Sequence, residues 1–226
     1  MISILLATYN GEKYLSLAIE SVLGQSFKDF ELLIGFNGTT DKSKEIPEKY
    51  NDPRIRVFDY GDDKGKSKTL NKLLNESKYE FVCLQDDDDI WLCDKLERQI
   101  PYFYNYDVVG TLISYINEEG HITGQLRLST ETNEIERLSM RGLNQIANTS
   151  AMFKKQDVLE IGGWREYLDD YSNQGYQPLE DYDLWLRLMR NGKKFINIPE
   201  TLVHHRIHQN SNYNNKTFDM SILDKK

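Results

Sequence analysis

The chain has 226 residues, 39% of them hydrophobic, which is enough for one substantial core or for one core with a smaller lobe. Its formal net charge of −8 argues against a general affinity for nucleic acid or anionic membranes, because both need clustered Lys and Arg. No apolar run reaches the roughly 20 residues that span a bilayer, and the N-terminus lacks the basic flank of a signal peptide. With only Cys83 and Cys93 available for disulfides, we expect a soluble protein of the reducing cytoplasm.

The first hundred residues alternate between apolar runs and stretches of helical periodicity. In chain order the pattern predicts a strand at 2–7, a helix at 15–23, a strand at 30–36, a helix capped by the turn at 37–41, a strand at 54–60, a helix around 70–74 and a strand at 79–84. This order predicts right-handed crossovers and a largely parallel sheet. The loops after the first, second and fourth strands should then meet at one edge, where open α/β sheets bind ligands.

The second half is less regular. The pattern predicts a hairpin of 108–116 and 121–128, a strand at 149–153, a helix at 156–161 ended by two glycines, a helix at 180–189, and closing strands at 194–198 and 201–207. Residues 128–148 give no clear pattern, and we expect them to form a lid or an acceptor loop. The polar tail 209–226 is expected to be mobile.

Four consecutive carboxylates, Asp86 to Asp89, follow the predicted strand at 79–84. Adjacent aspartates repel one another at neutral pH unless they are protonated, hydrated or neutralised by a cation. Hard oxygen ligands favour Mg²⁺, Mn²⁺ or Ca²⁺, and Mg²⁺ often recruits substrate phosphates as further ligands. We therefore interpret Asp86, Asp87 and Asp88 as a metal and diphosphate site. The alternative is a solvated acidic turn that caps a helix near Asp94.

Five blocks of the sequence, in order along nearly the whole chain, resemble the family 2 glycosyltransferases. They contain Thr8-Tyr9-Asn10-Gly11, Asp86-Asp87-Asp88-Asp89-Ile90-Trp91, Ile161-Gly162-Gly163-Trp164, Glu180-Asp181-Tyr182-Asp183 and Arg206-Ile207-His208. The resemblance implies an α/β protein of the GT-A fold, with a Rossmann-like, mostly parallel central sheet and a smaller mixed acceptor-binding portion. It implies a single domain over 1–226, with a nucleotide-binding half at 1–105, an acceptor-binding half at 106–208 and the tail.

The resemblance also implies the reaction, which moves a sugar from a nucleoside diphosphate to an acceptor hydroxyl with inversion. Mn²⁺ or Mg²⁺ would be held by Asp88, with Asp86 beside it and His208 as a further ligand. Asp181 would be the general base that takes the proton of the acceptor hydroxyl. The alternative for Asp181 is an ordinary first-turn acid favoured by the helix dipole, as Glu180 and Asp183 could also be.

The base of the donor nucleotide is expected to lie against the loops after the first two strands. Thr8, Tyr9 and Glu12 fall on the first loop, and the second carries Asn37 where the family usually has an aspartate. The Asn37 amide can both accept and donate a hydrogen bond. UDP, dTDP and GDP donors therefore all stay open. Lys64, with two neighbouring lysines, is expected to add positive charge near the nucleotide.

The acceptor is expected to be a glycan, a lipid-linked sugar or a protein. The three tryptophans Trp91, Trp164 and Trp185 are more typical of a core than of a sugar-binding platform, and Trp164 is the best candidate among them to stack on a sugar. The processive members of the family carry a Gln-x-x-Arg-Trp block and membrane helices, and neither is present in this sequence. Two other functions stay open: a sugar nucleotidyltransferase and a non-catalytic nucleotide-sugar binding module. Intact Asp88 and Asp181 argue against the binding module.

Overall fold

The structure is a computed structural model that describes residues 1–62, 64–173, 179–209, 211 and 223. The predicted mobility of the tail therefore concerns residues that lie almost entirely outside the described part of the chain. No helix within the described residues is long and apolar enough to cross a membrane.

The strands form one mixed sheet. They are β1 (Ile2–Thr8), β2 (Phe30–Phe36), β3 (Ile55–Asp59), β4 (Phe81–Asp86), β5 (Ile90–Trp91), β6 (Val108–Ile116), β7 (Ile122–Leu126), β8 (Met152–Lys154) and β9 (Phe195–Arg206). Their order is β3-β2-β1-β4-β8-β6-β9-β5, and β7 pairs with β6. Strands β3, β2, β1 and β4 are parallel, whereas β8 is antiparallel to both its neighbours. The predicted parallel half and mixed second portion are both confirmed.

The register of the parallel strands places three loops at one edge of the sheet. Thr8 lies beside Phe36, and Ala7 lies beside Asp86. Strands β1, β2 and β4 therefore end together, so the loops that follow them converge as the sequence predicted.

Seven α-helices connect the described strands. They are α1 (Leu15–Leu23), α2 (Lys66–Glu76), α3 (Lys95–Gln99), α4 (Thr132–Ser139), α5 (Lys155–Glu160), α6 (Tyr167–Asn173) and α7 (Glu180–Arg190).

Three predictions need correction. The helix expected between β2 and β3 is replaced by two 3₁₀ turns, Lys42–Glu45 and Pro47–Lys49, because Pro47 lacks the N–H that a continuing helix needs. The two expected closing strands form the single strand β9, whose pairing with β6 shifts register near Leu112. The unassigned stretch 128–148 contains helix α4.

The three inner parallel strands β1, β2 and β4 are buried on both faces, as expected when helices cover both sides, whereas the edge strand β3 is partly exposed. Leu5 of β1 packs in one cluster with Leu70 of α2 and Trp185 of α7, while Ile4 packs in a second cluster with Leu15 of α1. These two cores fix α1, α2 and α7 against the strands whose ends carry the polar loops.

All three tryptophans belong to the core. Trp91 and Trp185 are buried as expected, but Trp164 is only 1% exposed and packs edge-on against Phe153. The prediction that Trp164 stacks on a sugar is therefore wrong, because its ring is not open to a ligand.

Candidate active site

Each of the four aspartates at the end of β4 has its own partners. The Asp86 carboxylate accepts hydrogen bonds from Lys66 Nζ at 2.8 Å and from Asn148 Nδ2 at 3.0 Å. Burial by itself would raise the pKa of Asp86, but the Lys66 ammonium and the hydrogen bonds lower it below the ordinary value. Asp86 is therefore held as a carboxylate inside the site.

Asp87 points to the loop after β1, where it accepts a short hydrogen bond from the hydroxyl of Thr8. Burial, followed by the neighbouring carboxylate of Asp88, raises the pKa of Asp87 to about 7. The loop approaches Asp87 so closely that a Cβ at Gly11 would lie 2.5 Å from its Oδ2. Glycine at this position therefore lets the loop after β1 lie against the acidic cluster.

Asp88 and His208, the two predicted metal ligands, lie together. Asp88 Oδ2 and His208 Nε2 are 2.9 Å apart, and both side chains are partly exposed. The main chain here is fixed by Arg206, whose Nε donates to the carbonyl of Asp88 at 3.0 Å. The guanidinium of Arg206 also stacks on Tyr14, 4.5 Å from the ring centroid, and is 1% exposed.

Asp89 is fully buried and structural. It accepts hydrogen bonds from the backbone N–H of Arg206 at 2.8 Å and from the ring of His205 at 3.0 Å. Burial opposes the charge on His205, but Asp89 raises the pKa of its imidazole to about 9. This ion pair ties strand β9 to the acidic turn and so sets the position of His208 beside Asp88.

The nucleotide-side residues lie on the neighbouring loops. Asn37 is 4% exposed, its Nδ2 donates to the Gly65 carbonyl at 3.1 Å, and its Oδ1 has no hydrogen-bond partner among the described residues. Exposed Tyr9 lies with its ring centroid 5.9 Å from Lys64 Nζ. Glu12 instead accepts from the backbone N–H of Lys42 and fixes the first 3₁₀ turn.

Asp181 lies at the start of α7 and is oriented from two sides. Its carboxylate accepts hydrogen bonds from Asn144 Nδ2 at 3.1 Å and from the backbone N–H of Tyr182 at 2.7 Å. Burial, followed by the negative charge of Glu180, raises the pKa of Asp181 to about 7. A carboxylate with this pKa can accept a proton near neutral pH.

Asp183 lies two residues after Asp181 on the same helix. It is 3% exposed, and its carboxylate contacts Arg187 Nε at 2.7 Å and Arg165 at 3.2 Å. Asp183 is a first-turn acid, as the sequence left open, but its main contacts are the ion pairs with these two arginines.

The residues of this site fit a divalent cation only if a bound substrate or water supplies the remaining ligands of the ion. Among the described residues, no group of three or more His, Cys, Asp or Glu side chains is arranged to hold a metal ion. Asp88 and His208 could supply two ligands, because the separation of Asp88 Oδ2 and His208 Nε2 matches the roughly 3 Å between adjacent ligands of an octahedral ion. Substrate phosphates and water commonly supply the remaining ligands of Mg²⁺.

Residues 3–162 match the family model described as glycosyl transferase family 2. The chain belongs to this family. The O-antigen biosynthesis glycosyltransferase WbnJ of Escherichia coli is 32% identical over 220 residues, which cover 93% of this chain and 81% of WbnJ. The β-1,3-glucosyltransferase WfaP of Escherichia coli is 28% identical, with 96% of this chain and 81% of WfaP covered.

Solved structures show that this glycosyltransferase has the GT-A fold. S. aureus TarS 1–349 in complex with UDP-GlcNAc superposes with a TM-score of 0.74 at 19% identity, over 93% of this chain. The mannosyltransferase PcManGT of Pyrobaculum calidifontis, in complex with GDP-Man and Mn²⁺, gives a TM-score of 0.69 at 14% identity. This chain spans 60% of the TarS chain and 58% of the PcManGT chain.

Several residues of the site could not be selected from the sequence. Asn144 and Asn148 lie in or next to the stretch that showed no periodicity, and His205 is one of two adjacent histidines on β9. The sequence prediction selected Lys64 from three neighbouring lysines, whereas in the structure it is Lys66 that contacts Asp86.

Proposed function

We propose that this glycosyltransferase moves a sugar from a nucleoside diphosphate to an acceptor hydroxyl, with inversion and with the help of a divalent cation. One observation carries the proposal: the acidic residues at the end of β4 and the start of α7, which carries Asp181, converge on Lys66, whose Nζ lies 2.8 Å from Asp86 and 3.6 Å from Glu180. Residues suited to hold a diphosphate and a carboxylate suited to deprotonate an acceptor therefore border the same site.

The chemistry assigns a distinct role to each end of the site. Asp88 and His208 would hold Mn²⁺ or Mg²⁺, and the ion would stabilise the negative charge that develops on a diphosphate leaving group. Asp181 takes the proton of the acceptor hydroxyl while that oxygen bonds to the anomeric carbon. At the same time the bond from this carbon to the diphosphate breaks, and its electron pair leaves with the diphosphate. Attack from the face opposite the leaving group inverts the anomeric configuration.

The donor is proposed to be a nucleotide sugar. TarS structures contain UDP or UDP-GlcNAc, and the PcManGT structure contains GDP-Man. In the described part of this chain the Oδ1 of Asn37 has no hydrogen-bond partner, so it is an acceptor that an N–H of the base can satisfy. Uracil, thymine and guanine all carry such an N–H, so the proposal includes UDP, dTDP and GDP.

The acceptor is proposed to be a lipid-linked saccharide. WfaP and WfgD are named as glucosyltransferases that act on α-D-GlcNAc-diphosphoundecaprenol. Here the turn that follows α4 carries two exposed apolar side chains, since Met140 is 42% exposed and Leu143 is 55% exposed. Arg141 on the same turn is also exposed. Asn144, at the end of this turn, contacts Asp181. The apolar chain of such an acceptor could contact Met140 and Leu143, and its anionic diphosphate could contact Arg141, next to the proposed general base Asp181.

The test is a calorimetric titration of nucleoside diphosphates in the presence of Mn²⁺, Mg²⁺ or EDTA. Because the ion would bridge Asp88 and the phosphates, Asp88→Ala should remove most of the metal-enhanced affinity while the fold is retained. Asp29→Ala is the matched control, since Asp29 is exposed before β2 at the opposite edge of the sheet. Equal, metal-independent affinity in the wild type and Asp88→Ala would overturn the proposed cation site. Transfer is then measured with the best donor and lipid-linked or free saccharide acceptors.

A further inference from the structure

Lys66 is the first residue of α2, and its ammonium lies between the two parts of the proposed site. Its side chain is about one third exposed, while the carboxylates of Asp86 and Glu180 on either side of it are more buried. The negative charges of Asp86, Glu180 and Asp181 keep the pKa of Lys66 well above its ordinary value, although burial opposes this. Lys66 is therefore a permanent cation between β4 and α7.

The backbone around Lys66 is fixed by an independent contact with the second half of the chain. Asp169 of α6 accepts hydrogen bonds from the backbone N–H groups of Ser67 at 3.0 Å and Lys68 at 3.3 Å. Asp169 is 7% exposed, and the contact is so close that a Cβ at Gly65 would lie 2.2 Å from its Oδ2. The position of Lys66 thus depends on both α6 and α7.

The same turn reaches the nucleotide side of the site, because the carbonyl of Gly65 accepts the hydrogen bond from Asn37. The turn formed by Gly65 and Lys66 therefore contacts three parts of the site: Asn37, which is proposed to bind the nucleobase, the acidic cluster, and the helix that carries Asp181.

We propose that Lys66 is a positioning residue for the transfer reaction, which holds Asp86 on the donor side and Glu180 on the acceptor side at a fixed separation. This inference rests on the proposed function and adds a residue to it. Transfer requires the acceptor oxygen, held by Asp181, to approach the anomeric carbon to within bonding reach, and small misplacements of reacting groups cost large factors in rate. A cation between two carboxylates opposes their mutual repulsion, which would otherwise separate the two sides.

The experiment compares Lys66→Met, Glu180→Gln and the double variant with the wild type. If Lys66 acts by positioning, Lys66→Met should lower kcat roughly 10- to 100-fold, while the affinity for the nucleoside diphosphate with Mn²⁺ changes less than about threefold. The double variant should be no slower than the slower single variant, because both substitutions break the same link. Lys78→Met is the matched control: Lys78 also lies 4.0 Å from a buried carboxylate, that of Glu31, but at the opposite edge of the sheet.

A second readout is the pH dependence of kcat/KM. The charged groups acting on Asp181 are Glu180, Lys66 and Asp86, and Lys66 is the one that lowers the pKa of Asp181. Lys66→Met should therefore move the acidic limb of the profile to higher pH, whereas Lys78→Met should leave it in place. Thermal unfolding of each variant shows whether the fold is retained.

The outcomes separate this inference from the proposed function. Unchanged kcat in Lys66→Met, or additive losses in the double variant, overturns the positioning role while transfer by the wild type upholds the proposed function. A loss of nucleoside diphosphate affinity as large as the loss of kcat also overturns it, because Lys66 would then bind the donor directly. A wild-type protein that neither binds donor nor transfers sugar refutes the proposed function, and this inference with it.

Discussion

Two aspartates on helix α7, two residues apart, should respond in opposite ways to the same substitution. Asp183 is buried between Arg187, whose side chain is 11% exposed, and Arg165, which is 38% exposed. Arg187 also donates to the carbonyls of Ile161 and Gly163, so the pair fixes the turn after α5. Removing one partner of a buried ion pair costs about 3–5 kcal/mol, which in a domain of this size lowers Tm by roughly 6–20 °C.

Asp181→Asn should not destabilise the fold. The pKa of Asp181 is raised to about 7 from the ordinary 3.8, so the folded state binds a proton more tightly than the unfolded state does. The free energy of unfolding therefore falls as the pH rises between these two values, and the ionised carboxylate destabilises the fold fully only above pH 7. Asparagine removes this cost, so Tm should rise at pH 8 and change little near pH 4.

The assay measures thermal unfolding and sugar transfer on both variants. Asp183→Asn should lose stability but retain most of its transfer rate per folded molecule at a temperature well below its Tm. Asp181→Asn should lose transfer by roughly 10²-fold or more with donor affinity nearly unchanged, because a general base acts in the transition state. An unchanged Tm for Asp183→Asn would refute the ion-pair argument. A transfer rate equal to the wild type for Asp181→Asn would remove Asp181 from the mechanism.

Two further predictions follow from the site. The acidic limb of the kcat/KM profile should have its midpoint near pH 7, where Asp181 titrates, and not near the ordinary aspartate value of 3.8; a rate that stays flat down to pH 5 would contradict this assignment. Asn37→Ala should weaken the binding of a nucleoside diphosphate by about 1 kcal/mol, roughly fivefold in Kd, because an N–H of the nucleobase loses its acceptor. Calorimetry should show no matching loss of affinity for inorganic diphosphate. An equal loss of affinity for both ligands would show that Asn37 does not bind the nucleobase.

The sequence was sufficient for the parallel half of the fold, since each strand there is a short apolar run separated by helical or turn signals. The convergence of Thr8 and Asp87 followed from topology alone, because parallel strands in this order end at one edge. Strand β9 was harder to predict, since Pro199 interrupts its apolar pattern and suggests two strands.

The contacts within the site were less predictable, because they depend on pairs far apart in the chain. The spacing of Asp183 and Arg187, four residues apart on α7, indicates a pair within the helix, but nothing local to Asp183 indicates that Arg165 will contact it as well. Likewise, Lys66 differs from its neighbouring lysines only through carboxylates on β4 and α7. Trp164 was misjudged for the same reason, since a tryptophan after two glycines is compatible with either a core or a ligand platform until its packing is known.

The four consecutive aspartates raise the question of which charges the protein itself neutralises. Asp86 is paired with Lys66, and Asp89 is paired with His205, so cations of the chain balance the first and last of the four. Asp87 accepts a hydrogen bond from the uncharged hydroxyl of Thr8, and Asp88 faces the imidazole of His208. Uncompensated charge is therefore concentrated on the two middle carboxylates, on the side that faces Thr8 and His208. A divalent cation that binds there would replace the repulsion between Asp87 and Asp88 with attraction and would favour the ionised form of Asp87. Asp87 and Asp88 are thus the two carboxylates that an external cation would neutralise, and Asp88 already lies beside His208, a second potential ligand.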